Sequence, residues 1–359
     1  MEIYNRLFWT IVLVWFIPIP LVLIGSFFVI LGVMIAAGSV TTFVGSLSSI
    51  KKIVAILLIV TILGVVLWNA PSLFLAFQKI IGLQPSPTYS HEELVNYALS
   101  LINSDRRSYG LQNVSLSEVD SAQQHADNML KNHFFSHWDV YGYKPYMRYT
   151  LAGGQGSVAE NVAWYLSNIP IDAKEATKEL ERQMMYEDAQ WDWGHKNNIL
   201  DPFHNKFSIG IAYDNYNLYF VQDFENDYIE WSTISIAQNG EVITSGSFKD
   251  VELSVEWVNI FYDPLPSNLT SVQLERTPYN GSYTMGTFLG MVIPSGYESA
   301  EGITITAQTW VQSGTTFEIR FSLSPILDTH GEGVYTLYFQ PDPSTSQDSL
   351  TSFSFWYNE

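Results

Sequence analysis

The sequence predicts a chain of three parts: a transmembrane helical segment, an α+β domain and an all-β sandwich. Three observations predict this. The first 80 residues are apolar and almost free of charge, the next part mixes helical periodicity with short strand-like runs, and the last part contains strand-like runs alone. The expected boundaries are 1–80, 90–227 and 228–359, with a Pro/Ser-rich linker over 81–89.

Charge is distributed unevenly along the 359 residues, whose formal net charge is −19. Residues 1–90 carry five charged side chains with a net charge of +3, so residues 91–359 carry −22. This acidic balance argues against nucleic-acid binding, because neutralising phosphates needs clustered Lys and Arg. The chain has no cysteine, which excludes disulfides, thiolate nucleophiles, iron–sulfur clusters and cysteine-based zinc sites.

Two charge-free apolar runs predict transmembrane helices, because a spanning helix needs about 20 apolar residues. The second run, 53–77, fits one span. The first run has an apolar core over 7–37, interrupted by Pro18 and Pro20. We interpret it as one long kinked helix, with two short spans as the alternative. The lipid bilayer is therefore the expected partner of residues 7–78, through two or three helices.

The adjacent pair Lys51-Lys52 sets the expected orientation. By the positive-inside rule its loop is cytoplasmic, so residues 80–359 lie on the extracellular side of the cell membrane with either two or three spans. A cleaved signal peptide is the competing interpretation, but the apolar run is too long and no small-residue cleavage site follows it. Sequons that begin at Asn113, Asn268 and Asn280 agree with an outward-facing body.

Capping signals predict three helices in the α+β part. Ser90 and Glu93 form a capping box ahead of the first helix, and Ser115 and Glu118 form another ahead of the second. Asp172 can cap the third helix. The β-prone runs of this part are 158–165, 207–213 and 218–224.

The last part has almost no helical periodicity. Asn239-Gly240 predicts a type I′ hairpin turn, and Tyr335, two residues before Leu337, resembles the tyrosine corner of immunoglobulin-like sandwiches. We therefore expect an immunoglobulin-like sandwich. Its strand-like pieces are 233–237, 241–244, 251–261, 288–293, 303–310, 317–323, 334–339 and 353–357.

Two glutamates fall where the surrounding pattern predicts burial. Glu187 returns to nearly the same side of the third helix as Ala176 and Leu180, which is the buried stripe. Glu160 lies among small apolar residues. Unpaired buried carboxylates are unfavourable, so nearby histidines would pair with them. The result could be a divalent-metal site, a general acid/base pair, or a hydrogen-bonded cluster that only stabilises the domain. The histidines whose sequence context suggests a site are His133, His137, His195 and His204.

Five short motifs follow one another between residues 134 and 224. They are Phe134-Phe135-Ser136-His137-Trp138-Asp139 with Gly142, Ala159-Glu160-Asn161-Val162-Ala163, the run 194–200 that begins Gly194-His195, the run 207–211 around Gly210, and the run 219–224. Their order resembles the CAP superfamily, which groups cysteine-rich secretory proteins, antigen 5 and pathogenesis-related 1 proteins. The lack of cysteine resembles its prokaryotic branch. The match covers roughly residues 90–226.

The resemblance implies an α-β-α sandwich whose central cleft carries two His and two Glu. Matched by motif, three of them are His137, Glu160 and His195. The second glutamate lies on the helix before the Gly-His motif, where Glu187 is the candidate and Asp188 its rival.

The sequence departs from the family pattern at two places. Ala159 stands where the family has Gly before Glu-Asn, and the residues 190–193 replace its Trp-x-x-Ser. Trp191 and Trp193 in that replacement could form a rim for an apolar ligand, with ordinary packing as the alternative.

The leading functional hypothesis is a membrane-anchored extracellular protein whose cleft binds a small molecule, a lipid or a cell-envelope ligand. One divalent metal, with zinc favoured, would be held by His137 and His195, and the β-sandwich would be a spacer or adhesion module. The rival is a metal-dependent hydrolase in which Glu160 or Glu187 is the general base. A third hypothesis is a structural envelope protein with a vestigial cluster.

Overall fold

The computed structural model describes residues 87–298, 302–345, 347 and 349–358. The predicted transmembrane segment and most of the predicted linker lie outside these residues. Among the helices of the described ranges, none is both long and apolar enough to cross a bilayer. Pro85–Glu359 forms one compact unit, in which we call 90–227 the α+β part and 228–359 the β part.

The α+β part contains five helices and four strands within the described residues. Their order is α1 (His91–Ser108), β1 (Ser115–Leu116), α2 (Ser121–Asn132), α3 (Pro145–Leu151), β2 (Ser157–Leu166), α4 (Ala173–Tyr186), α5 (Gly194–Ile199), β3 (Lys206–Tyr213) and β4 (Asn217–Asn226).

Two of the three predicted helix starts are confirmed. The Ser90 hydroxyl accepts a hydrogen bond from the Glu93 backbone N–H at 3.1 Å, and the Glu93 carboxylate accepts from the Ser90 N–H at 2.9 Å. The Asp172 carboxylate accepts from the Lys174 N–H at 3.0 Å at the start of α4. Such side-chain acceptors satisfy N–H groups that have no partner within the helix.

The predicted capping box at Ser115 and Glu118 is wrong. Ser115 and Leu116 instead form β1, which pairs in parallel with β3. The Ser115 N–H donates to the Asn205 carbonyl, and the Ser117 N–H donates to the Phe207 carbonyl. These long-range backbone bonds replace the local cap, and α2 begins only at Ser121.

The first sheet has the strand order β1-β3-β4-β2 and carries helices on both faces. On one face α1 and α4 share a core with β3 and β4, which includes Ile102, Leu180 and Phe220. On the other face α2 packs on β3 and β4, with Ala126 and Val221 in the core. The α+β part is therefore a three-layer α-β-α arrangement.

Gly210 allows α2 to approach the sheet closely. A Cβ atom at this position would collide with the Ala122 carbonyl in the first turn of α2. Glycine has no Cβ, so it fits where two backbones come this near. The central glycine of the fourth motif therefore fixes the distance between α2 and β3.

The β part forms two sheets, with strand orders β10-β11-β6-β5 and β13-β12-β7-β8-β9. Side chains from both sheets, such as Val242, Phe321, Ile260 and Leu337, belong to one core. The elements are β5 (Ile229–Ile236), β6 (Glu241–Phe248), β7 (Trp257–Asp263), α6 (Ser271–Leu274), β8 (Thr287–Ile293), β9 (Ile303–Thr306), β10 (Thr309–Ser313), β11 (Thr316–Ser322), α7 (Ser324–His330), β12 (Gly333–Gln340) and β13 (Thr351–Tyr357).

Two local predictions for the β part have different outcomes. Strands β5 and β6 form the predicted hairpin, but the turn is not type I′. Of its residues only Gly240 has a positive φ, of +81°, whereas type I′ needs two such residues. At the predicted tyrosine corner, the Tyr335 hydroxyl donates to the Gly331 carbonyl at 2.6 Å, which is the bond that defines this motif.

Candidate functional site

The site begins on β2, which lies at an edge of the first sheet and carries Glu160. The Glu160 side chain is fully buried. Its Oε1 accepts a hydrogen bond from Nδ1 of His137 at 2.8 Å, and its Oε2 accepts from Nη2 of Arg148. The motif with Phe134-Phe135 and the motif with Glu160 therefore meet as a carboxylate–imidazole pair.

Arg148 on α3 hydrogen-bonds both members of this pair. Its Nη1 donates to the backbone carbonyls of His137, at 2.6 Å, and of Tyr143, at 3.0 Å. One guanidinium thus fixes both the main chain at His137 and the carboxylate that binds the His137 ring. The sequence reasoning missed Arg148, although a single charge in the otherwise uncharged helix Pro145–Leu151 was an available signal.

The ionised Glu160 carboxylate determines which nitrogen of the His137 ring carries the proton. Burial alone would raise the pKa of Glu160, but the Arg148 guanidinium and the hydrogen bond from His137 outweigh burial and lower this pKa to about 2. An ionised carboxylate can only accept, so Nδ1 of His137 carries the proton and Nε2 keeps a lone pair in the neutral ring. No group of the described ranges makes a hydrogen bond to this Nε2.

Asp188 holds the second imidazole, His195, in the same manner. Asp188 Oδ1 accepts from His195 Nδ1 at 2.6 Å, while Oδ2 accepts from the backbone N–H groups of His195 (2.9 Å) and Lys196 (3.2 Å). The Asp188 side chain is 1% exposed and that of His195 is 20% exposed. In the described part of the chain, Nε2 of His195 also has no hydrogen-bond partner.

A tight reversal brings Asp188 to the start of α5. A 3-10 turn spans Asp188–Trp191, and the next two residues, Asp192 and Trp193, are left-handed with φ of +56° and +60°. Helix α5 then begins at Gly194. Exposed fractions of 56% for Trp191 and 38% for Trp193 show that these rings are not packed in the core.

Glu187 does not occupy the buried position expected for it. Helix α4 ends at Tyr186, so the helical phase that put Glu187 on the buried stripe stops one residue too early. The Glu187 side chain is 56% exposed and forms an ion pair with Arg182 at 2.7 Å, which lowers its pKa. The rival residue Asp188 is the carboxylate beside His195.

Asn161 connects the two pairs. Its Nδ2 donates to the backbone carbonyl of His195 at 3.1 Å and to the Gln222 side chain at 3.0 Å. Its Oδ1 accepts from Asn198 at 3.0 Å. Because Asn161 follows Glu160 on β2, this amide ties helix α5 to the strand that carries the first pair.

Both pairs line one cavity of about 530 Å³, a size typical of small-molecule sites. The polar part of its lining includes both histidines and the side-chain amides of Asn161 and Asn198. Glu187 also contributes to its wall, and residues 280–283 of the β part line it as well. The larger apolar and aromatic side chains of the wall are Phe135, Trp164, Leu180, Met184 and Trp191.

The two remaining histidine candidates do not line this cavity. His204 is buried, and its ring nitrogens hydrogen-bond the side chains of Asn226 and Asn198 at 2.7 and 2.9 Å. His133 follows the last residue of α2 in a left-handed conformation.

The donor set suits a metal ion only partly. Among the described residues there is no group of three or more His, Asp or Glu side chains placed to hold a metal. Both buried carboxylates accept from imidazole Nδ1. The free donors are the two Nε2 atoms, which suit zinc and similar metals. Carboxylates bound to Nδ1 are common partners of metal-binding imidazoles. Two histidines are fewer than the three or four protein ligands of ordinary zinc sites.

Comparison with solved structures finds three bacterial proteins that are similar to part of this chain. An extracellular protein of Bacillus anthracis strain Ames that contains an SCP domain is 19% identical with a TM-score of 0.30, over 39% of this chain and 45% of that one. An outer surface protein of Borrelia burgdorferi is 15% identical with a TM-score of 0.30, over 39% and 97%. The CAP domain of enterococcal PrgA is 16% identical with a TM-score of 0.27, over 38% and 63%.

This chain therefore spans less than half of the Bacillus protein. No curated protein matches the sequence. The family model of the CAP, or cysteine-rich secretory protein, family matches residues 99–224, which include all five motifs and both carboxylate–imidazole pairs. Residues 99–224 therefore form a CAP domain.

Proposed function

We propose that this protein is a membrane-anchored extracellular protein whose CAP cleft binds a ligand, with a divalent metal ion held by His137 and His195. One observation carries the proposal. Two imidazoles, each fixed through Nδ1 by a buried carboxylate, line one cavity of about 530 Å³, and their Nε2 atoms have no hydrogen-bond partner among the described residues. Nitrogen lone pairs fixed in this way are suited to binding rather than to holding a core together.

The cavity walls favour a ligand with both polar and apolar groups. The polar lining includes the two imidazoles and the Asn161 amide, whereas the lining residues Trp164 and Trp191 are 42% and 56% exposed. Clefts with a few convergent polar groups among apolar walls are typical of small-molecule sites. A small molecule, a lipid or an envelope component remains the proposed ligand class.

Calorimetric titration of the full chain with Zn²⁺ alone tests the metal part of the proposal. We expect binding by the wild type and its loss in the double variant His137→Ala/His195→Ala. The matched control is His91→Ala/His330→Ala, which removes two exposed histidines outside the cavity and should leave Zn²⁺ binding intact. Equal Zn²⁺ affinity in the first double variant and the wild type would refute the two-histidine site.

A metal-dependent hydrolase is the second candidate, and the free Nε2 atoms favour it. The two Nε2 atoms would hold the metal ion, which would supply an activated water, so neither nitrogen can also take the proton. Glu160 is fully buried and orients His137. Glu187 is 56% exposed and lines the cavity, so in this version Glu187 is the general base.

A panel of peptides, esters and glycans tests the hydrolase. Turnover that disappears in Glu160→Gln, while folding and Zn²⁺ content persist, would favour it. Absence of turnover over the whole panel would favour the binding protein.

Membrane anchoring and outward orientation are proposed from the sequence. The support is the pair of charge-free apolar runs and the Lys51-Lys52 loop between them. Because the chain has no cysteine, the introduced cysteine of a single-cysteine variant is the one thiol of the purified protein that can carry a label added to intact cells. An impermeant maleimide should label Tyr297→Cys, a 69% exposed site, and should not label Ser49→Cys. The reverse pattern would contradict the orientation.

An immunoglobulin-like class is proposed for the β part. Variable-type immunoglobulin domains have the strand orders A-B-E-D and G-F-C-C′-C″, and the two sheets here follow the same order when β5 is taken as A. The tyrosine-corner bond of Tyr335 also supports the proposal. The parallel pairing of β8 with β9 differs from an all-antiparallel sandwich.

A further inference from the structure

The loop 264–286, between β7 and β8, leaves the β part and packs on the CAP domain. The Leu269 N–H donates to the Val140 carbonyl at 2.8 Å, and the Ser271 hydroxyl donates to the carbonyl of Asn132 at 2.7 Å. Leu274 of α6 is fully buried in the core under α2. The loop is therefore built into the face of the CAP domain that carries α2.

The loop is also held by hydrogen bonds at its start and near its other end. Where it begins, Asp263 accepts from Lys144 Nζ at 2.7 Å and from the Tyr146 hydroxyl at 2.5 Å. Near its other end, the Tyr279 carbonyl accepts from the Ser136 hydroxyl at 2.6 Å. Ser136 directly precedes His137, so the loop contacts the main chain next to the first imidazole.

Tyr283 brings the loop into contact with both members of the first pair. Its hydroxyl accepts a hydrogen bond from the Glu160 backbone N–H at 3.0 Å, and its ring centroid lies 4.9 Å from that of His137. Strand β2 is at the edge of its sheet, where outward N–H groups have no strand to pair with. The phenol therefore supplies the missing acceptor at the residue that orients His137.

We propose that Tyr283 is a positioning residue of the candidate site, and that the loop 264–286 makes the β part a component of the cleft. This goes beyond the proposed function, in which the β part has no role at the cleft, and rests on it only in treating His137 as a functional group. The ring restricts the plane of the His137 imidazole, and the hydroxyl fixes the main chain of Glu160. A cleft without this loop would keep both residues but lose their alignment.

Carbethoxylation of histidines by diethyl pyrocarbonate, followed residue by residue with peptide mass spectrometry, tests the proposal on the full chain. The His137 side chain is only 14% exposed, and the Tyr283 ring packs against it. We expect Tyr283→Ala to raise the modification rate of His137 several-fold and to leave that of His195 unchanged. Tyr283→Phe keeps the ring, so its His137 rate should lie between those of the wild type and Tyr283→Ala. Tyr297→Ala, a matched loss of a 69% exposed tyrosine in the β part, should change neither rate.

Two results would overturn the proposal: an unchanged His137 rate in both Tyr283 variants, or an equal rise at His195, which would indicate general loosening of the domain. If Tyr283→Ala does not fold, the Tyr283→Phe comparison alone decides, because His137 must still react faster than in the wild type. Zn²⁺ titration of the same proteins separates this proposal from the preceding one. A wild type that does not bind Zn²⁺ refutes the metal site and leaves the reactivity result valid.

Discussion

The substitution Glu160→Gln tests the central pair most directly. Glu160 accepts from His137 and from Arg148 with its two oxygens, and its side chain has no exposed surface. Glutamine keeps the shape but removes the charge, so the Arg148 guanidinium, whose side chain is 8% exposed, loses its counter-ion. We expect a large loss of stability at neutral pH.

Two arguments give the size of this loss. The pKa of Glu160 falls from 4.5 to about 2, and at about 1.4 kcal/mol per pKa unit this corresponds to about 3 kcal/mol of preference for the ionised form. Independently, removing one partner of a buried ion pair costs about 3–5 kcal/mol. The expected decrease in the free energy of unfolding is therefore about 3 kcal/mol.

The pH dependence follows from the direction of the pKa change. The folded-state pKa lies below the usual 4.5, so the contribution of Glu160 is present above that pH and is lost as the pH falls toward about 2. Glutamine does not titrate. The stability difference between wild type and Glu160→Gln should therefore shrink as the pH decreases through this window.

Urea denaturation of the full chain, followed by circular dichroism from neutral to acid pH, measures both effects. Glu179→Gln is the matched control, because the pKa of Glu179 is also lowered to about 2, by Arg182, but the Glu179 side chain is 38% exposed. An exposed pair of this kind contributes at most about 1 kcal/mol. Equal losses for Glu160→Gln and Glu179→Gln would refute the reasoning from burial.

Three further substitutions have defined outcomes. Asp188→Asn removes the carboxylate partner of the second imidazole and should weaken Zn²⁺ binding about 10–100-fold in calorimetric titration. The control Glu187→Gln should leave Zn²⁺ binding unchanged. The opposite ranking would identify Glu187, not Asp188, as the second carboxylate of the site. Gly210→Ala forces a Cβ into the α2 backbone and should lower the unfolding free energy by about 1–3 kcal/mol, while Gly281→Ala, which meets no atom within 4 Å, should not. Burial raises the pKa of Glu181 to about 8, so its contribution to stability falls as the pH rises from 4.5 to about 8. Glu181→Gln should remove that fall in urea titrations, and an unchanged pH profile would contradict the assignment.

Local signals predicted those elements whose partners are close in sequence. The caps at Ser90 and Asp172 depend on atoms two or three residues away, and both are confirmed. Ser115 offered the same signal, yet its N–H pairs with Asn205, ninety residues along the chain. A capping pattern does not reveal whether a distant strand will take the same backbone groups.

The second carboxylate shows the limit of helical phase. Spacing from Leu180 placed the acid on the buried stripe of the third helix and selected Glu187. The helix ends at Tyr186 and a 3-10 turn begins at Asp188, so the buried acid is Asp188 and not Glu187. No capping residue in the sequence marks that end, and one residue of error exchanges an exposed acid for a buried one.

Arg148 and Tyr283 could not have been assigned from spacing. Arg148 lies 12 residues from Glu160 in sequence, and Tyr283 lies 123 residues from it. Neither belongs to the five motifs, and the contact of Tyr283 depends on how the β part folds back over the CAP domain. Residues that orient a site from another part of the fold leave no periodic pattern near it.

The distribution of exposure decides which groups a ligand can meet. The carboxylates of Glu160 and Asp188 are 0% and 1% exposed, whereas the imidazoles of His137 and His195 are 14% and 20% exposed. A ligand in the cavity therefore contacts the nitrogen lone pairs and not these two acids. A carboxylate acting as general base on a bound molecule would have to be Glu187, which is 56% exposed and lines the cavity, because Glu160 and Asp188 are already hydrogen-bonded to Nδ1. It follows that Glu160→Gln and Asp188→Asn should act through the orientation of the rings, whereas the histidine substitutions should remove a direct contact.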